Sequence, residues 1–296
     1  KDQSFNAPVS EKAAFQYGTA LNSLLNGPKS AKHRIRIGDT TCVFWTDRPS
    51  ILEDVFGLFA TEGSNAPEQA QDEDTRSKLE TLLKAIRLGG AAESDLGTNP
   101  EDTHFYFLGL APNAARLSVR FFHNSTVGEL LENLRTHHRD LAIVREWETA
   151  NGKRLPDPEY PAYWMLLSQT ARVSDEIPPL LSGALMRSIL EGVRYPEALY
   201  SAVIRRIRAD RTINYLRAAI IKSTLTRNHH QTITTMLDTE NTDPAYLLGR
   251  LFAALEKTQN DALGDLNAGL RDKFYSSASA TPASVFPRIL RTYQHH

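Results

Sequence analysis

The chain is poor in sulfur, with one cysteine, Cys42, and three methionines in 296 residues. A single thiol makes no internal disulfide and cannot build a structural zinc site on several thiolates, so the usage fits a reducing compartment and a cytoplasmic location is expected. Long apolar runs are missing too. The most apolar windows, residues 105–111 and 218–221, fall far short of the ~20 residues a membrane helix needs and belong inside a folded core. No secretory signal pattern occurs. Common catalytic and nucleotide-binding signatures are absent: there is no Gly-rich phosphate loop ending in Lys-Ser/Thr, no Gly-x-Gly-x-x-Gly, no His-Glu-x-x-His and no Gly-x-Ser-x-Gly. An excess of either charge is lacking as well, with 34 basic against 35 acidic residues and a formal net charge of −1. Taken whole, that balance argues against a protein that coats phosphates, which usually carries a basic surplus.

What is there is a globular composition, 41% hydrophobic and 23% charged in 33.1 kDa, enough for one large or two ordinary domains. The chain begins at Lys1 and ends at His295-His296, and is expected to be a piece of a longer polypeptide. Ser10 is placed to cap a helix carrying Ala13, Ala14, Tyr17, Leu21, Leu24 and Leu25, which Asn26-Gly27-Pro28 ends. His33-Arg34-Ile35-Arg36-Ile37 alternates in twos, Gly38-Asp39 supplies a turn, and Thr40-Thr41-Cys42-Val43-Phe44-Trp45 is β-branched and aromatic, which together predict a hairpin. A second hairpin is predicted from residues 104–108 and 116–122, joined through Ala111-Pro112-Asn113. Between them lie an acidic loop over residues 61–74 and a helix over 78–88 closed by Gly89-Gly90. Thr126 should cap a helix bearing Val127, Leu130, Leu131, Leu134, Leu141 and Val144.

From about Asn151 the texture changes. A Gly- and Pro-containing connector runs to Pro158, and no alternating strand pattern follows. Helix starts are expected at Tyr195-Pro196, at Thr212 and at Thr242-Asp243-Pro244, where Pro takes the first helical position. The predicted fold class is an α+β N-terminal part, two hairpins with helices, followed by an all-α helical bundle. The expected domains are residues 1–157 and 158–296.

Catalytic candidates are few. His137-His138 and His229-His230 are the main hints of metal binding, but neighbours on a helix point about 100° apart and do not share an ion comfortably, so solvated or phosphate-facing histidines are expected. Asp72-Glu73-Asp74 reads as a solvated loop and Cys42 as a small buried hydrophobe. No catalytic residue, metal site or cofactor is assigned, and the chain is expected not to be an enzyme. The competing enzyme reading is a nuclease built on His137, His138 and the acidic block.

The segment that stands out is residues 187–227, with nine basic residues against three acids, eight of the nine being arginine. Leu199, Val203 and Ile207 make a buried stripe at four-residue spacing, which puts Arg205 and Arg208 on the opposite face and Arg206 at its margin. On the next helix Ile213, Leu216, Ile220 and Ser223 are expected inside, Lys222 outside and Arg217 beside the core. Arginine forks match phosphate oxygens, and a row of them follows a backbone without reading sequence. The candidate nucleic-acid-binding set is therefore Arg194, Arg205, Arg206, Arg208, Arg211, Arg217, Lys222 and Arg227. The bland alternative is a salt-bridged surface, which three acids against nine bases disfavours. Asn6, Arg34 and Arg36 form a second tier, with an exposed hairpin face as the ordinary explanation of the two arginines. The balancing acid sits in residues 61–102, ten acids against four bases, a block that would repel phosphate and should lie away from its path.

At these positions the chain resembles a known family. Asn6-Ala7-Pro8-Val9-Ser10-Glu11-Lys12-Ala13-Ala14-Phe15, Ile37-Gly38-Asp39 with Val43-Phe44-Trp45, and Ala115-Arg116-Leu117-Ser118-Val119-Arg120-Phe121 resemble the large subunit of the type I-C CRISPR surveillance complex, Cascade. So do residues 199–208, 217–222, 246–253 and 277–288, in family order. The resemblance implies the central and C-terminal portion of a subunit about twice as long, non-catalytic and acting in RNA-guided DNA binding. It implies recognition of the motif flanking the target (the PAM), help with duplex opening, and recruitment of a separate helicase-nuclease. The implied partners are the backbone subunits holding CRISPR RNA, target double-stranded DNA with its displaced single strand, and small subunits; no membrane is involved. In this family the C-terminal helical part is also made separately as the small subunit, so residues 236–296, starting at Met236, are expected to begin such a unit. The alternative function is a stand-alone helical module that binds single strands.

Overall fold

A computed structural model describes residues 9–37, 40–60, 97–113, 116–145, 157–173, 176–264 and 268–293. Asn6, the Gly38-Asp39 turn, residues 61–96 of the acidic block with the helix expected over 78–88, and residues 151–156 of the connector lie outside them. Ser10 caps α1 (Glu11–Asn26) as its spacing predicts, its hydroxyl accepting the Ala13 N–H at 3.2 Å. A short α2 (Ser30–His33) leads into β1 (Arg34–Ile37) and β2 (Thr40–Thr46). After α3 (Leu52–Ala60) come β3 (His104–Asn113) and β4 (Arg116–Thr126).

The two predicted hairpins merge into one antiparallel sheet of order β1-β2-β3-β4. Their junction is the β2–β3 ladder, which sets Trp45 opposite Tyr106 and Cys42 opposite Gly109. Ala111, Pro112 and Asn113, expected as a connector, belong to the ladder instead, with Pro112 opposite Leu117. Period-two alternation sends Ile35, Ile37, Cys42, Phe44, Phe105 and Phe107 to one face, where all are buried, and leaves Arg34 and Arg36 exposed. Phe56 of α3 closes that face, its ring 5.0 Å from Phe44, 4.9 Å from Phe105 and 5.5 Å from Phe107. Helix α3 is absent from the sequence-based expectation because a nine-residue, mostly apolar run carries no decisive period. Cys42 is fully buried as expected, and burial pushes its thiol up to about 12, so it is inert as a nucleophile at neutral pH.

Thr126 ends β4 and caps α4 (Val127–Leu141) in the same residue. Its hydroxyl accepts the Glu129 N–H at 3.1 Å while the Glu129 carboxylate accepts the Thr126 N–H at 3.2 Å, a reciprocal capping box. The remaining described elements are helices: α5 (Tyr163–Ser168), α6 (Pro179–Leu190), α7 (Glu197–Asp210), α8 (Tyr215–His229), α9 (Pro244–Leu263), α10 (Leu270–Ala280) and α11 (Pro282–Tyr293). An antiparallel sheet in the N-terminal half and helices beyond it is the fold class the sequence predicts. Among the described residues no helix is long and apolar enough to cross a membrane.

The change of texture near residue 157 divides secondary-structure types, but one hydrophobic core spans it. Leu130, Leu134 and Leu141 of α4 share a cluster with the sheet's inner face and with Leu185, Ile189, Leu199, Val203 and Ile220 of the later helices. A second, smaller cluster of Phe252, Leu270, Ala278, Phe286 and Ile289 lies within α9 to α11. Tyr275 packs against both.

Candidate nucleic-acid interface

Helix α7 follows Pro196, whose fixed φ and missing N–H suit an entry to a helix. It buries Leu199, Ala202, Val203 and Ile207, as the four-residue spacing predicts, and leaves Arg205 and Arg208 exposed on the opposite face. Arg206 is half-buried at the margin and pairs with Asp210 one turn on, Nη2 to Oδ1 at 2.6 Å. The helix stops at Arg211, which takes a left-handed conformation (φ 57°) and donates its N–H to the Ile207 carbonyl at 2.8 Å. Arg208 in the last turn and Arg211 at the cap sit where the helix dipole is negative, so their charge is favoured there. Arg194, just before the helix, is exposed. Among the described residues none of Arg194, Arg205, Arg208 and Arg211 has a carboxylate within ion-pair distance.

Helix α8 carries basic residues from the same segment and buries them. Its N-cap is Asn214, which accepts the Arg217 N–H at 2.9 Å, and not Thr212 as expected; Ile213 consequently lies before the helix and is half exposed rather than inside. Arg217 is buried, with Nη1 on the Thr212 carbonyl at 2.8 Å and Nη2 on Asp210. Burial works against the Asp210 carboxylate, but the Arg217 bond and the Arg217 and Arg206 charges outweigh it and hold its pKa below the usual range. Lys222, expected to point outward, points inward and donates to the Asp140 carbonyl at 2.9 Å. Burial lowers its pKa and the Asp140 charge resists that shift. Arg227 places Nε 2.8 Å from the Asp140 carboxylate and its guanidinium 4.3 Å over the Tyr195 ring. The packing of α8 against α4 explains the reversal, because α4 brings Asp140 to these cations from 82 and 87 residues away.

Asp140 was invisible to an argument confined to residues 187–227. One local signal exists: an acid in the last turn of a helix opposes the dipole and calls for a cation beside it. Tyr195 and Asn228 were also missed. Asn228 accepts the Tyr195 N–H at 2.9 Å and donates to the Tyr195 carbonyl at 2.8 Å, which fixes the segment entering α7 against α8.

The histidine pair on α4 is buried instead of solvated. His137 Nδ1 lies 2.6 Å from the Tyr195 hydroxyl, and His138 packs edge-on to Tyr160. Burial above all, then the His138 and Arg227 charges, holds the His137 pKa well below its ordinary value, so it is neutral in the fold. His229 and His230 are exposed at the end of α8. Among the described residues no three His, Cys, Asp or Glu side chains gather as a metal site. Arg34 donates to the Leu25 carbonyl at the end of α1, and Arg36 is exposed on β1. Glu101 and Asp102, the described end of the acidic block, lie at the α4 N-terminus, where Gly128 donates to the Pro100 carbonyl at 3.0 Å and negative charge is favoured.

The arrangement therefore offers guanidinium groups on and flanking α7 that have no carboxylate partner among the described residues, with α7 held by a second helix whose cations are committed inside. Such a row is chemically suited to phosphate oxygens and offers nothing that distinguishes bases. No curated protein matches the chain. The family model of the CRISPR-associated protein Cas_Csd1 matches residues 1–296, end to end, and the chain belongs to that CRISPR-associated family.

Proposed function

We propose that the protein is the non-catalytic large subunit of a type I-C surveillance complex and that Arg194, Arg205, Arg208 and Arg211 hold phosphates of the displaced DNA strand. The observation that carries the phosphate reading is four exposed arginines without carboxylate partners among the described residues, beside four other basic side chains that all have acceptors. The site is thus narrower than the eight residues the sequence suggests: Arg206 is held by Asp210 at its edge, and Arg217, Lys222 and Arg227 belong to the scaffold. Membership of a CRISPR-associated family supports the setting. In that setting base pairing with the guide reads the target, while protein reads the flanking motif and holds the freed strand. Flanking-motif recognition, duplex opening, and contacts with the guide-bearing backbone subunits, small subunits and helicase-nuclease are part of the proposal. A catalytic role for His137 and His138 is not, because both are buried, His137 on the Tyr195 hydroxyl and His138 against Tyr160.

The test is the salt dependence of target binding by the assembled complex. Replacing all four arginines with alanine should lower the slope of log affinity against log salt by about 0.7 per lost single-strand contact, about 2.8 in all. An unchanged slope defeats the assignment, and tight binding by the isolated chain without guide or partners favours a stand-alone single-strand module. Separate synthesis of a C-terminal helical unit from Met236 is also proposed, since exposed Met236 precedes the Asp243 cap of α9. An N-terminal peptide of the co-purifying small protein that starts elsewhere disproves it.

A further inference from the structure

The arginine row of α7 runs into a cavity. Arg211, the last member of the row, stands on the rim of an open pocket of about 470 Å³ between the α7–α8 link and the C-terminal helices, within the ~300–1,000 Å³ usual for small-ligand sites. Its floor is apolar and aromatic: Leu248, Phe252, Tyr275 and Phe286 line it, with the Phe252 ring edge-on to Tyr275 at 5.8 Å and to Phe286 at 6.4 Å. The space exists because α9 presents Ala245, Gly249 and Ala253 to it, one small residue per turn. A Cβ added at Gly249 would meet no atom within 4 Å.

The rim chemistry says what fits. Arg211 and Arg271 bring two positive charges; Glu256 offsets one, bound to Arg271 Nε at 2.7 Å. Arg208 is close enough that its charge acts on the Tyr275 phenol. A ligand matched to this site is flat and apolar in its body, hydrogen-bonding at its edge, and anionic where it leaves the pocket toward Arg211. That is a nucleotide, and the adjoining row of guanidinium groups supplies the path for the phosphates on either side of it.

We infer that the pocket receives an unpaired base of the nucleic-acid strand whose phosphates follow Arg205, Arg208 and Arg211. This rests on the phosphate-binding reading of α7 and adds to it a place where the strand is gripped by a base. Because every base has an apolar face, the grip is expected to tolerate sequence, as aromatic single-strand sites do.

The test compares the purified chain with its Gly249→Leu and Ala253→Leu variants, which fill the pocket without touching the row. Each is titrated with an oligothymidylate and with an abasic deoxyribose-phosphate oligomer of equal length and charge. The unaltered chain should prefer thymidylate by about five- to a hundredfold, the range of one stacked base. Both filled variants should bind the two oligomers equally, at the abasic affinity, with the salt slope of the unaltered chain. A filled variant that keeps the preference overturns the inference. Failure of the arginine reading is distinguishable, because it appears as a salt slope that Arg205→Ala with Arg208→Ala does not change. A third measurement does not depend on the variants' folding: an oligomer carrying 4-thiothymine should photocross-link within α9, α10 or α11 of the unaltered chain. Cross-linking confined to other segments overturns the pocket, as does p-benzoylphenylalanine in place of Ala253 coupling to polypeptide and never to thymidylate.

Discussion

Helices α7 and α8 are neighbours in sequence and in space, carry the same residue types, and use them in opposite ways. Arg205 and Arg208 face out from a helix whose inner stripe is wholly apolar. Arg217, Lys222 and Arg227 face in, onto Asp210, the Asp140 carbonyl and the Asp140 carboxylate. What separates a solvent-facing cation from a structural one here is not its type or its count in a window. It is whether folding brings an acceptor to it: for Lys222 and Arg227 that acceptor arrives from a helix more than eighty residues upstream, and for Arg217 it is Asp210 at the end of α7. A buried cation without an acceptor is costly, so the α8 set is fixed by its partners, whereas the α7 set remains available.

Asp140→Ala attacks the contrast hardest. It removes the carboxylate from Arg227 and leaves that guanidinium buried without its counter-charge, so chemical denaturation should show a loss of about 3–5 kcal/mol. A loss under 1 kcal/mol would mean that the α8 cations are not held as described. Lys222→Met keeps the volume and withdraws one donor from the Asp140 carbonyl, and should cost about 1–3 kcal/mol.

Acid should act next, through His137. Its folded pKa lies below the ordinary 6.5 because burial disfavours the cation. Below about pH 6.5 the unfolded chain therefore binds a proton that the folded chain does not, and stability present above that pH is lost as pH falls. The expected slope is about 1.4 kcal/mol per pH unit for each such histidine, and half-buried His123, shifted the same way chiefly by burial, adds to it. His137→Gln should remove its share of the slope between pH 6.5 and 5, and an unaltered slope refutes the assignment. The smallest effect on stability belongs to α7: Arg205→Ala with Arg208→Ala should change it by less than about 0.5 kcal/mol while lowering the single-strand salt slope by about 1.4.

Locally encoded features were legible in the sequence. Ser10, Thr126 and Asp243-Pro244 mark helix starts through side chains that bond within three residues; the first hairpin shows in the alternation of residues 33–37, and both show as β-branched and aromatic runs. The α7 stripe was readable because Leu199, Val203 and Ile207 repeat at four. Helix α8 was misread because its buried face includes Lys222, Ser223, Thr224 and Asn228, so no apolar stripe announces which side is inside. The joining of the hairpins and the arrival of Asp140 depend on contacts distant in sequence, which local spacing does not encode. Periodicity placed Arg205 and Arg208 on the outer face of α7, whereas Arg217, Lys222 and Arg227 lie inward through contacts that periodicity does not encode.

One feature of the sheet bears on how the arginine row could resist a pull. Thr126 is the end of a strand and the start of a helix at once, so β4 passes into α4 with no intervening linker, and α4 is packed on α8, which is packed on α7. A tug on a strand held at α7 therefore meets no hinge before it reaches the four-stranded sheet. Under the proposed role the row behaves as a cleat bolted to a rigid deck, and the work of keeping a duplex apart is borne by the whole core instead of by one surface helix.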